Sequence, residues 1–287
     1  MSPYIKILRP FNLFIILFTQ AVVMWRFSLN YDETYLLRCA LIIIATVLTS
    51  AAGYIVNDIY DIKADQINKP ERQWIPVFIS VRSAWIFYGT LNLFALLASY
   101  YYGLNSEDNI FTITVIAIQF LLWVYAVWLK KVPLVGNLLV AACASSVVVV
   151  CILVIKIQHQ TALFMLVSFI AFSFFVNLIR ELVKDLEHLE GDAAAGYNTY
   201  AIFAGVKGSK AMIYATLTTQ ILLCGIFVFI SWGIGFKIMS IVMCLIILGF
   251  FYFIERLTKA NEKVKYAYCS LILKILMLLG LICLAIS

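Results

Sequence analysis

Long uninterrupted stretches of apolar residues, separated by short polar connections, dominate this sequence. Each stretch is about 20 residues long, which is the length that a helix needs to cross roughly 30 Å of hydrocarbon. The stretches are apolar on all sides, whereas barrel strands would alternate polar and apolar residues. The pattern therefore predicts about nine transmembrane helices, near residues 11–28, 38–57, 83–103, 109–129, 133–155, 161–180, 210–232, 236–254 and 267–286.

The composition agrees with this pattern. Hydrophobic residues make up 64% of the chain and charged residues 13%, whereas charged residues form about a quarter of a typical soluble domain. Lys6 and Arg9 precede the first apolar stretch, as in a signal peptide, but no small-residue cleavage site follows, which favours a retained first helix. We expect an all-α polytopic membrane protein in which residues 1–287 form a single transmembrane domain.

The distribution of positive charge predicts the orientation. The net charge of +6 is spread over the loops and forms no patch typical of nucleic-acid binding, so no nucleic-acid partner is expected. The positive-inside rule places the N-terminus and both acidic segments described below in the cytoplasm, and the odd helix count places the C-terminus outside. We expect the inner or plasma membrane as the location. The few Lys and Arg residues assigned to the outer connections are Arg26, Arg38, Lys156 and Lys237.

Two acidic segments interrupt the apolar background. Residues 57–65 and residues 180–192 hold about half of the 15 acidic side chains, and both lie at the ends of apolar stretches. Ionised carboxylates beside lipid are costly and rarely occur without a partner. A solvated helix end would explain one such segment. Two segments on the same side of the membrane indicate a shared site for a divalent metal and a highly charged ligand.

The first acidic segment has the spacing of a metal site. Asp58, Asp61 and Asp65 are three and four residues apart and would share one face of a helix. Carboxylates on one face repel one another unless a cation neutralises them. Oxygen ligands of this kind suit Mg²⁺, which takes one or two carboxylates and completes its shell with water and phosphate oxygens. Asn57, four residues before Asp61, adds a further oxygen ligand.

The second acidic segment repeats this arrangement. Asp185 and Asp192 are seven residues apart, and Glu187 and His188 lie between them. Gly191 and Gly196 allow the backbone to turn as the helix ends. We therefore predict that Mg²⁺ is held by residues of both segments.

Basic residues accompany both acidic segments. Carboxylates, a metal ion and Lys or Arg side chains together describe a diphosphate site, because the cations offset the phosphate charge. Each basic residue taken alone is more simply explained as a determinant of topology. The candidates for diphosphate contact are Lys69, Arg72, Lys130, Arg180 and Lys184.

These segments resemble the UbiA superfamily of intramembrane prenyltransferases. The resemblance rests on NDIYDIKAD with INKPER after it, on YAVWLKKVPLVGN, on RELVKDLEHLEGDAAAGYNT and on the N-terminal LRPFN. It covers nearly the whole chain and implies a bundle of nine helices around a central cavity. Within the family, RE followed by KDLEHLEGD is most similar to the archaeal-type branch that builds digeranylgeranylglyceryl phosphate.

The resemblance implies transfer of a polyprenyl group, geranylgeranyl in this branch, from its diphosphate to an acceptor, with Mg²⁺ as cofactor. The expected acceptor is geranylgeranylglyceryl phosphate, and an aromatic quinone precursor such as 4-hydroxybenzoate is the alternative. The implied catalytic carboxylates are Asp58, Asp61, Asp65, Asp185 and Asp192. The implied metal ligands are Asn57, Asp58, Asp61, Asp65, Asp185, Glu187 and Asp192. The implied substrate contacts are Arg9, Asn12, Lys69, Arg72, Tyr125, Lys130, Arg180, Lys184 and His188.

Two features depart from the family pattern. The second motif usually has a carboxylate at the position of His188. Three interpretations stay open: Asp185 or Glu187 replaces that carboxylate, His188 contacts metal or phosphate, or His188 is only a polar helix-end residue. After Arg72 the usual RPIPSG is replaced by QWIPV, which suggests an altered acceptor site. A multi-pass transporter is the remaining alternative, although its charges would lie nearer the middle of the helices than they do here.

Overall fold

The computed structural model describes residues 2–28, 32–155 and 159–286, and this part of the chain is helical with no β-strand. Lys156 and the side chain of Arg72, both singled out above, lie outside the described part. Within these ranges, three short 3-10 turns occur at Pro70–Arg72, Leu129–Lys131 and Val150–Leu153. The α-helices are α1 (Pro3–Ile7), α2 (Pro10–Phe27), α3 (Glu33–Tyr60), α4 (Ile62–Asn68), α5 (Val81–Ser106), α6 (Ile110–Val127), α7 (Val135–Val149), α8 (Gln160–Glu187), α9 (Leu189–Ala194), α10 (Tyr200–Gly233), α11 (Lys237–Thr258) and α12 (Lys263–Ala285).

The predicted membrane spans are confirmed. Within the described ranges, nine helices are long and apolar enough to cross a membrane, and each coincides with one predicted stretch. They are α2, α3, α5, α6, α7 with the 3-10 turn that follows it, α8, α10, α11 and α12. The predicted bounds were too short where a polar residue begins the helix: α3 starts at Glu33 because the Asp32 carboxylate caps it, accepting a hydrogen bond from the Tyr35 N–H at 2.6 Å.

The second acidic segment lies mostly inside a helix. Helix α8 continues seven residues past the predicted end at residue 180 and stops at Glu187. Leu182, Val183 and Leu186 are buried, so the apolar face of the helix continues beneath the charged residues with helical spacing. The charges interrupt the apolar stretch in the sequence, whereas the buried face of the helix is continuous.

The chain forms two compact units, of which the first comprises Met1–Lys130, Val147–Lys156 and Glu190–Gly196. In this unit α3 packs chiefly against α5 and also contacts α2 and α6. A buried apolar cluster around the last turns of α3 includes Ile7, Ile55, Ile59 and Ile79. This cluster fixes the end of α3 that carries the first acidic segment.

The second compact unit comprises Lys131–Ser146, Ile157–Leu189 and Tyr197–Ser287. Its helix α8 packs against α10 and α12, and α11 contacts both α10 and α12. Ile179, Leu182, Ile213, Leu217 and Phe253 are fully buried in this unit. The end of α8 that carries the second acidic segment is therefore held by an apolar core of its own.

Helix α10 is interrupted near its start. Gly205 has φ 66° and ψ 176°, which lies outside the helical region. This backbone conformation is almost restricted to glycine. The predicted span at residues 210–232 corresponds to the part of α10 that follows the interruption.

We expect Gly205→Ala to lower the free energy of unfolding by about 1–3 kcal/mol, because a Cβ is strained at this φ and ψ. The measurement is the thermal midpoint of the detergent-solubilised protein. Gly225→Ala is the matched control on the same helix, where no heavy atom lies within 4 Å of an added Cβ. Equal midpoints for the two variants would contradict the expected strain.

Candidate active site

The first acidic segment lies where α3 gives way to α4. Helix α3 ends at Tyr60, Asp61 joins the two helices, and α4 begins at Ile62. The Asp61 N–H donates to the Asn57 carbonyl at 2.9 Å, and the Asp65 N–H donates to the Asp61 carbonyl at 2.8 Å. These bonds continue helical spacing across the junction, so the predicted arrangement of the three carboxylates in successive turns is retained.

Each of the three carboxylates in this segment has a cationic partner. Arg9 Nη2 lies 2.5 Å from Asp58 Oδ1, and Lys130 Nζ lies 2.5 Å from Asp61 Oδ1. Lys69 Nζ lies 3.3 Å from Asp65 Oδ1. The three cations come from before α2, from the turn after α6 and from the end of α4. Predicted substrate contacts and predicted metal ligands are therefore brought together as ion pairs.

Lys130 is the most deeply buried of these cations. Its side chain is 6% exposed, against 32% for Arg9 and 31% for Lys69. The Lys130 ammonium also lies 6.0 Å from the centre of the Tyr60 ring, a distance at which a ring face attracts a cation. A buried ammonium needs a close negative partner, and Asp61 supplies it.

Asn57 has an unused oxygen at this site. Its Nδ2 donates a hydrogen bond to Asp61 Oδ2 at 2.6 Å. Its Oδ1 is buried and has no hydrogen-bond partner among the described residues. A buried carbonyl oxygen without a partner is costly, and a cation ligand is one means of satisfying it.

Asn68 links the two acidic segments, although the sequence did not predict it as a site residue. Its side chain is buried, its Nδ2 donates to Asp192 Oδ1 at 3.3 Å, and its Oδ1 accepts from the Gly191 N–H at 3.2 Å. Asp192 of the second segment thus lies with the first segment in the same compact unit. The available signal was an amide in INKPER beside a cluster of charges, which by itself indicates only a polar loop residue.

Gly191 has a different role from the predicted one. Its backbone is not in the left-handed region, so the turn does not require a glycine there. A Cβ at this position would lie 2.4 Å from the side-chain amide of Asn68. Glycine is therefore needed for the close approach of α9 to Asn68.

The carboxyl group of Asp192 is difficult to ionise. Burial and the nearby carboxylate of Asp61 raise the pKa of Asp192 to about 7, although Lys69, the hydrogen bond from Asn68 and Lys130 all act to lower it. Burial, the larger cause, and the neighbouring carboxylate together outweigh the effect of the two lysines and the Asn68 amide. An added cation would favour the ionised form.

The second compact unit holds the other predicted residues of the second segment. Both oxygens of the buried Glu181 carboxylate accept from Lys184 Nζ at 3.0 Å, and Arg180 Nη1 lies 3.3 Å from Oε1. Asn137 Nδ2 donates to Asp185 Oδ2 at 3.0 Å. Glu181 and Asn137 were not predicted as site residues. They orient the predicted cations and the predicted carboxylate of this segment.

His188 lies at the end of α8. Its N–H donates to the Lys184 carbonyl at 2.9 Å, which closes the last turn of the helix. Its Nε2 lies 3.8 Å from Glu187 Oε1. This geometry is compatible with each interpretation that the sequence left open.

The predicted metal ligands within the first compact unit are Asn57, Asp58, Asp61, Asp65 and Asp192. Among residues 2–28, 32–155 and 159–286, no group of three or more His, Cys, Asp or Glu side chains is placed to hold a metal ion. The first segment instead pairs each carboxylate with an internal cation. The donor set nevertheless suits Mg²⁺, since it consists of carboxylates and one unpartnered amide oxygen.

Two further predicted substrate contacts lie on membrane-length helices of the first compact unit. Asn12 is half-buried in the first turn of α2, and Tyr125 is half-buried near the end of α6. The side chain of Arg72 lies outside the described residues. The roles of these three residues stay predictions.

The loop that departs from the family pattern packs into the protein. Ile75 and Ile79 are buried in the apolar cluster around the end of α3, and Gln73 Nε2 donates to the Ile62 carbonyl at 3.2 Å. The Lys6 ammonium lies 4.7 Å from the centre of the Trp74 ring. The replaced residues therefore hold α3 and α4 in position, and the suggested change of acceptor site stays a prediction.

Within the described ranges, nine apolar helices of membrane length and a cluster of ion-paired carboxylates at the end of α3 are typical of a membrane-embedded protein with a charged site. The sequence model of the UbiA prenyltransferase family matches residues 15–278. The chain belongs to this family, and it is accordingly an integral membrane prenyltransferase.

Relatives and solved structures agree with this assignment. The digeranylgeranylglyceryl phosphate synthase of Korarchaeum cryptofilum is 30% identical over 98% of this chain and 95% of its own length. The protein of the same name from Sulfolobus acidocaldarius is 34% identical over 78% of this chain and 80% of its own length. A UbiA homologue from Archaeoglobus fulgidus, solved with GPP and Mg²⁺, is 16% identical, with a TM-score of 0.66 over 99% of both chains. This last likeness concerns the fold alone.

We expect Gly191→Ala and Asn68→Ala to be strongly non-additive. An alanine Cβ at position 191 displaces Asn68, whereas shortening Asn68 makes room for that Cβ. The thermal midpoints of the two single variants and the double variant form a double-mutant cycle, with a coupling of about 0.5–3 kcal/mol expected. Gly89→Ala, where nothing lies within 4 Å of the added Cβ, is the control. Additive effects would mean that the two residues do not share this contact.

We expect Asp192→Asn to stabilise the metal-free protein more at pH 8 than at pH 5. The folded-state pKa of about 7 lies above the ordinary value of 3.8, so the folded protein binds this proton more tightly than the unfolded chain does. Its stability therefore falls as the pH rises from about 4 to about 7. Asparagine at position 192 removes this loss. Thermal midpoints in EDTA test the expectation, with Glu190→Gln as the control on the same helix, and a pH-independent difference would refute it.

Proposed function

We propose that this protein transfers a geranylgeranyl group from its diphosphate to geranylgeranylglyceryl phosphate. The allylic C–O bond of the diphosphate breaks, an ether bond to the acceptor hydroxyl forms, and diphosphate and one proton are released. The observation that carries the proposal is the set of three ion pairs at the first acidic segment, joined by Asp192 through Asn68. The choice of acceptor is supported by the names of the relatives from Korarchaeum and Sulfolobus.

The first acidic segment is our proposed Mg²⁺ site. Asn57, Asp58, Asp61, Asp65 and Asp192 offer only hard oxygen ligands, which Mg²⁺ prefers. The unpartnered Oδ1 of Asn57 and the raised pKa of Asp192 both favour an added cation. When bound, Mg²⁺ would neutralise the charge that develops on the departing diphosphate. The A. fulgidus homologue solved with GPP and Mg²⁺ supports this cofactor, and Asp185 and Glu187 stay predicted as further ligands.

The internal cations are our proposed diphosphate contacts. Arg9, Lys69 and Lys130 are held in place by carboxylates before any ligand arrives. Cations fixed in advance where charge develops usually supply a large part of the acceleration, because they need not reorganise during the reaction. Lys130 is the strongest candidate, since it is buried and its geometry is fixed by Asp61. Arg180 and Lys184, oriented by Glu181, keep their predicted role, as do Asn12, Arg72, Tyr125 and His188.

The apolar helices supply the remaining requirements of the proposed reaction. Their hydrocarbon side chains accommodate an isoprenoid tail and exclude water, which would capture an allylic cation. We also propose that the chain acts as a single catalytic domain, with the N-terminus and the acidic segments in the cytoplasm and the C-terminus outside. The bias of Lys and Arg between alternate connections supports this orientation.

We expect Lys130→Met to lower prenyl transfer by about 10²–10³-fold, the usual effect of removing one fixed group that stabilises developing charge. Lys131→Met is the matched control, because Lys131 is the next residue and is exposed. It should remain close to the wild type. Size-exclusion profiles of both variants separate loss of catalysis from loss of folding. Equal activities of two folded variants would remove Lys130 from the proposed site.

The test of the proposed function is prenyl transfer by the purified protein in lipid. Radiolabelled geranylgeranyl diphosphate and Mg²⁺ are supplied with geranylgeranylglyceryl phosphate and 4-hydroxybenzoate as competing acceptors, and Asp61→Ala is the control. A labelled ether lipid that requires Mg²⁺ and Asp61 is the expected product. A labelled aromatic product would keep the reaction and replace the acceptor. Transfer to neither acceptor would refute the proposal.

A further inference from the structure

An apolar cavity of about 170 Å³ lies within the second compact unit, among α8, α10, α11 and α12. Phe164, Phe172, Phe227 and Met243 are among the residues that line it. None of the predicted site residues lines it. The lining residue nearest to Asp185 along α8 is Phe172, and at a rise of 1.5 Å per residue the two are about 20 Å apart. The cavity is therefore separate from the second acidic segment.

Gln220 places a polar atom in the wall of this apolar cavity. Its side chain is completely buried, and its Nε2 donates only a long hydrogen bond, 3.4 Å to the Sγ of Cys224. Its Oε1 has no hydrogen-bond partner within the described ranges. A buried amide oxygen without a partner costs about 1–3 kcal/mol. The cavity therefore offers one strong acceptor to any ligand that carries a donor.

The character of the lining limits the class of ligand. No described lining residue is charged, and most are aromatic, aliphatic or methionine side chains. An ionic ligand would lose its hydration without compensation here. Buried water commonly needs about three polar partners, and the lining is poor in them. The remaining class is a hydrocarbon with a single hydrogen-bond donor.

The position of the cavity gives such a ligand access from the bilayer. Three lining residues, Val167, Leu223 and Ile226, are exposed on the surface of this unit. Exposed apolar side chains on a membrane-spanning helix are suited to contact with lipid hydrocarbon. A molecule dissolved in the hydrocarbon can therefore reach the cavity without crossing water.

We propose that this cavity binds the hydroxyl end of a long-chain alcohol. The hydroxyl group donates to Gln220 Oε1, the first carbon atoms fill the cavity, and the rest of the chain extends past Leu223 into the bilayer. The volume agrees with this placement, because an apolar cavity of about 150 Å³ holds a benzene molecule. Isoprenoid and straight-chain alcohols share this chemistry.

The experiment uses the full-length protein in lipid nanodiscs and a geraniol analogue with a diazirine on its hydrocarbon chain. Labelled residues are mapped by peptide mass spectrometry. We expect labelling of α8, α10 and α12 at the lining residues, stronger than with the same probe in which a methyl group replaces the hydroxyl. Leu223→Trp fills the cavity and should abolish this labelling. Leu222→Trp is the matched control, since Leu222 is exposed and does not line the cavity.

A second variant tests the hydrogen bond itself. Gln220→Met keeps the length of the side chain and should lower labelling by the alcohol probe about tenfold, the effect of one lost hydrogen bond, without lowering that of the hydrocarbon probe. Competition by excess geraniol or by excess decanol identifies which alcohol the site prefers, and competition by neither overturns the proposal. Equal labelling by both probes, or labelling unchanged in a folded Leu223→Trp variant, would also overturn it.

Discussion

The negative charge of the carboxylates at the end of an apolar helix must be neutralised, and the first compact unit depends on this constraint. Asp58, Asp61 and Asp65 lie around the end of α3, whose central turns are apolar, so their charge needs close cations. The partners come from three separate places in the chain, before α2, after α4 and after α6. The pairs made by Arg9 and Lys130 therefore tie two distant segments to the end of α3, whereas the pair of Lys69 with Asp65 is local to α4. The same arrangement concentrates cations where a diphosphate would bind.

Stability and function make opposing demands on this cluster. Internal cations neutralise three carboxylates, but Asn57 Oδ1 lacks a partner among the described residues and the pKa of Asp192 is raised to about 7. Both features disfavour the folded state, and a cation bound at the proposed site would relieve both. A site that binds metal well is expected to retain such a deficit, because complete internal neutralisation would remove the reason to bind.

The charged residues on α8 contact partners within the second compact unit. Lys184 and Arg180 contact the Glu181 carboxylate, and Asp185 accepts a hydrogen bond from the Asn137 amide. The apolar core of this unit continues beneath these residues on α8. Its packing fixes the direction in which the charged face of the helix points. The same unit contains an apolar cavity whose polar atom, on Gln220, is far along the helices from the charges. The charged residues and the apolar cavity are thus separated along the helix axis.

The sequence by itself determined the class of the fold and the residue types of the site. Nine apolar stretches predict nine membrane-length helices because only regular backbone satisfies its own hydrogen bonds in lipid, and the helical spacing of Asp58, Asp61 and Asp65 is local. The partner of Asp65, Lys69, is also local, whereas the partners of Asp58 and Asp61 are not. That Arg9 reaches Asp58, that Lys130 rather than Lys131 reaches Asp61, and that Asn68 requires a glycine at position 191 were decided only by tertiary packing, since these contacts join residues up to 124 positions apart.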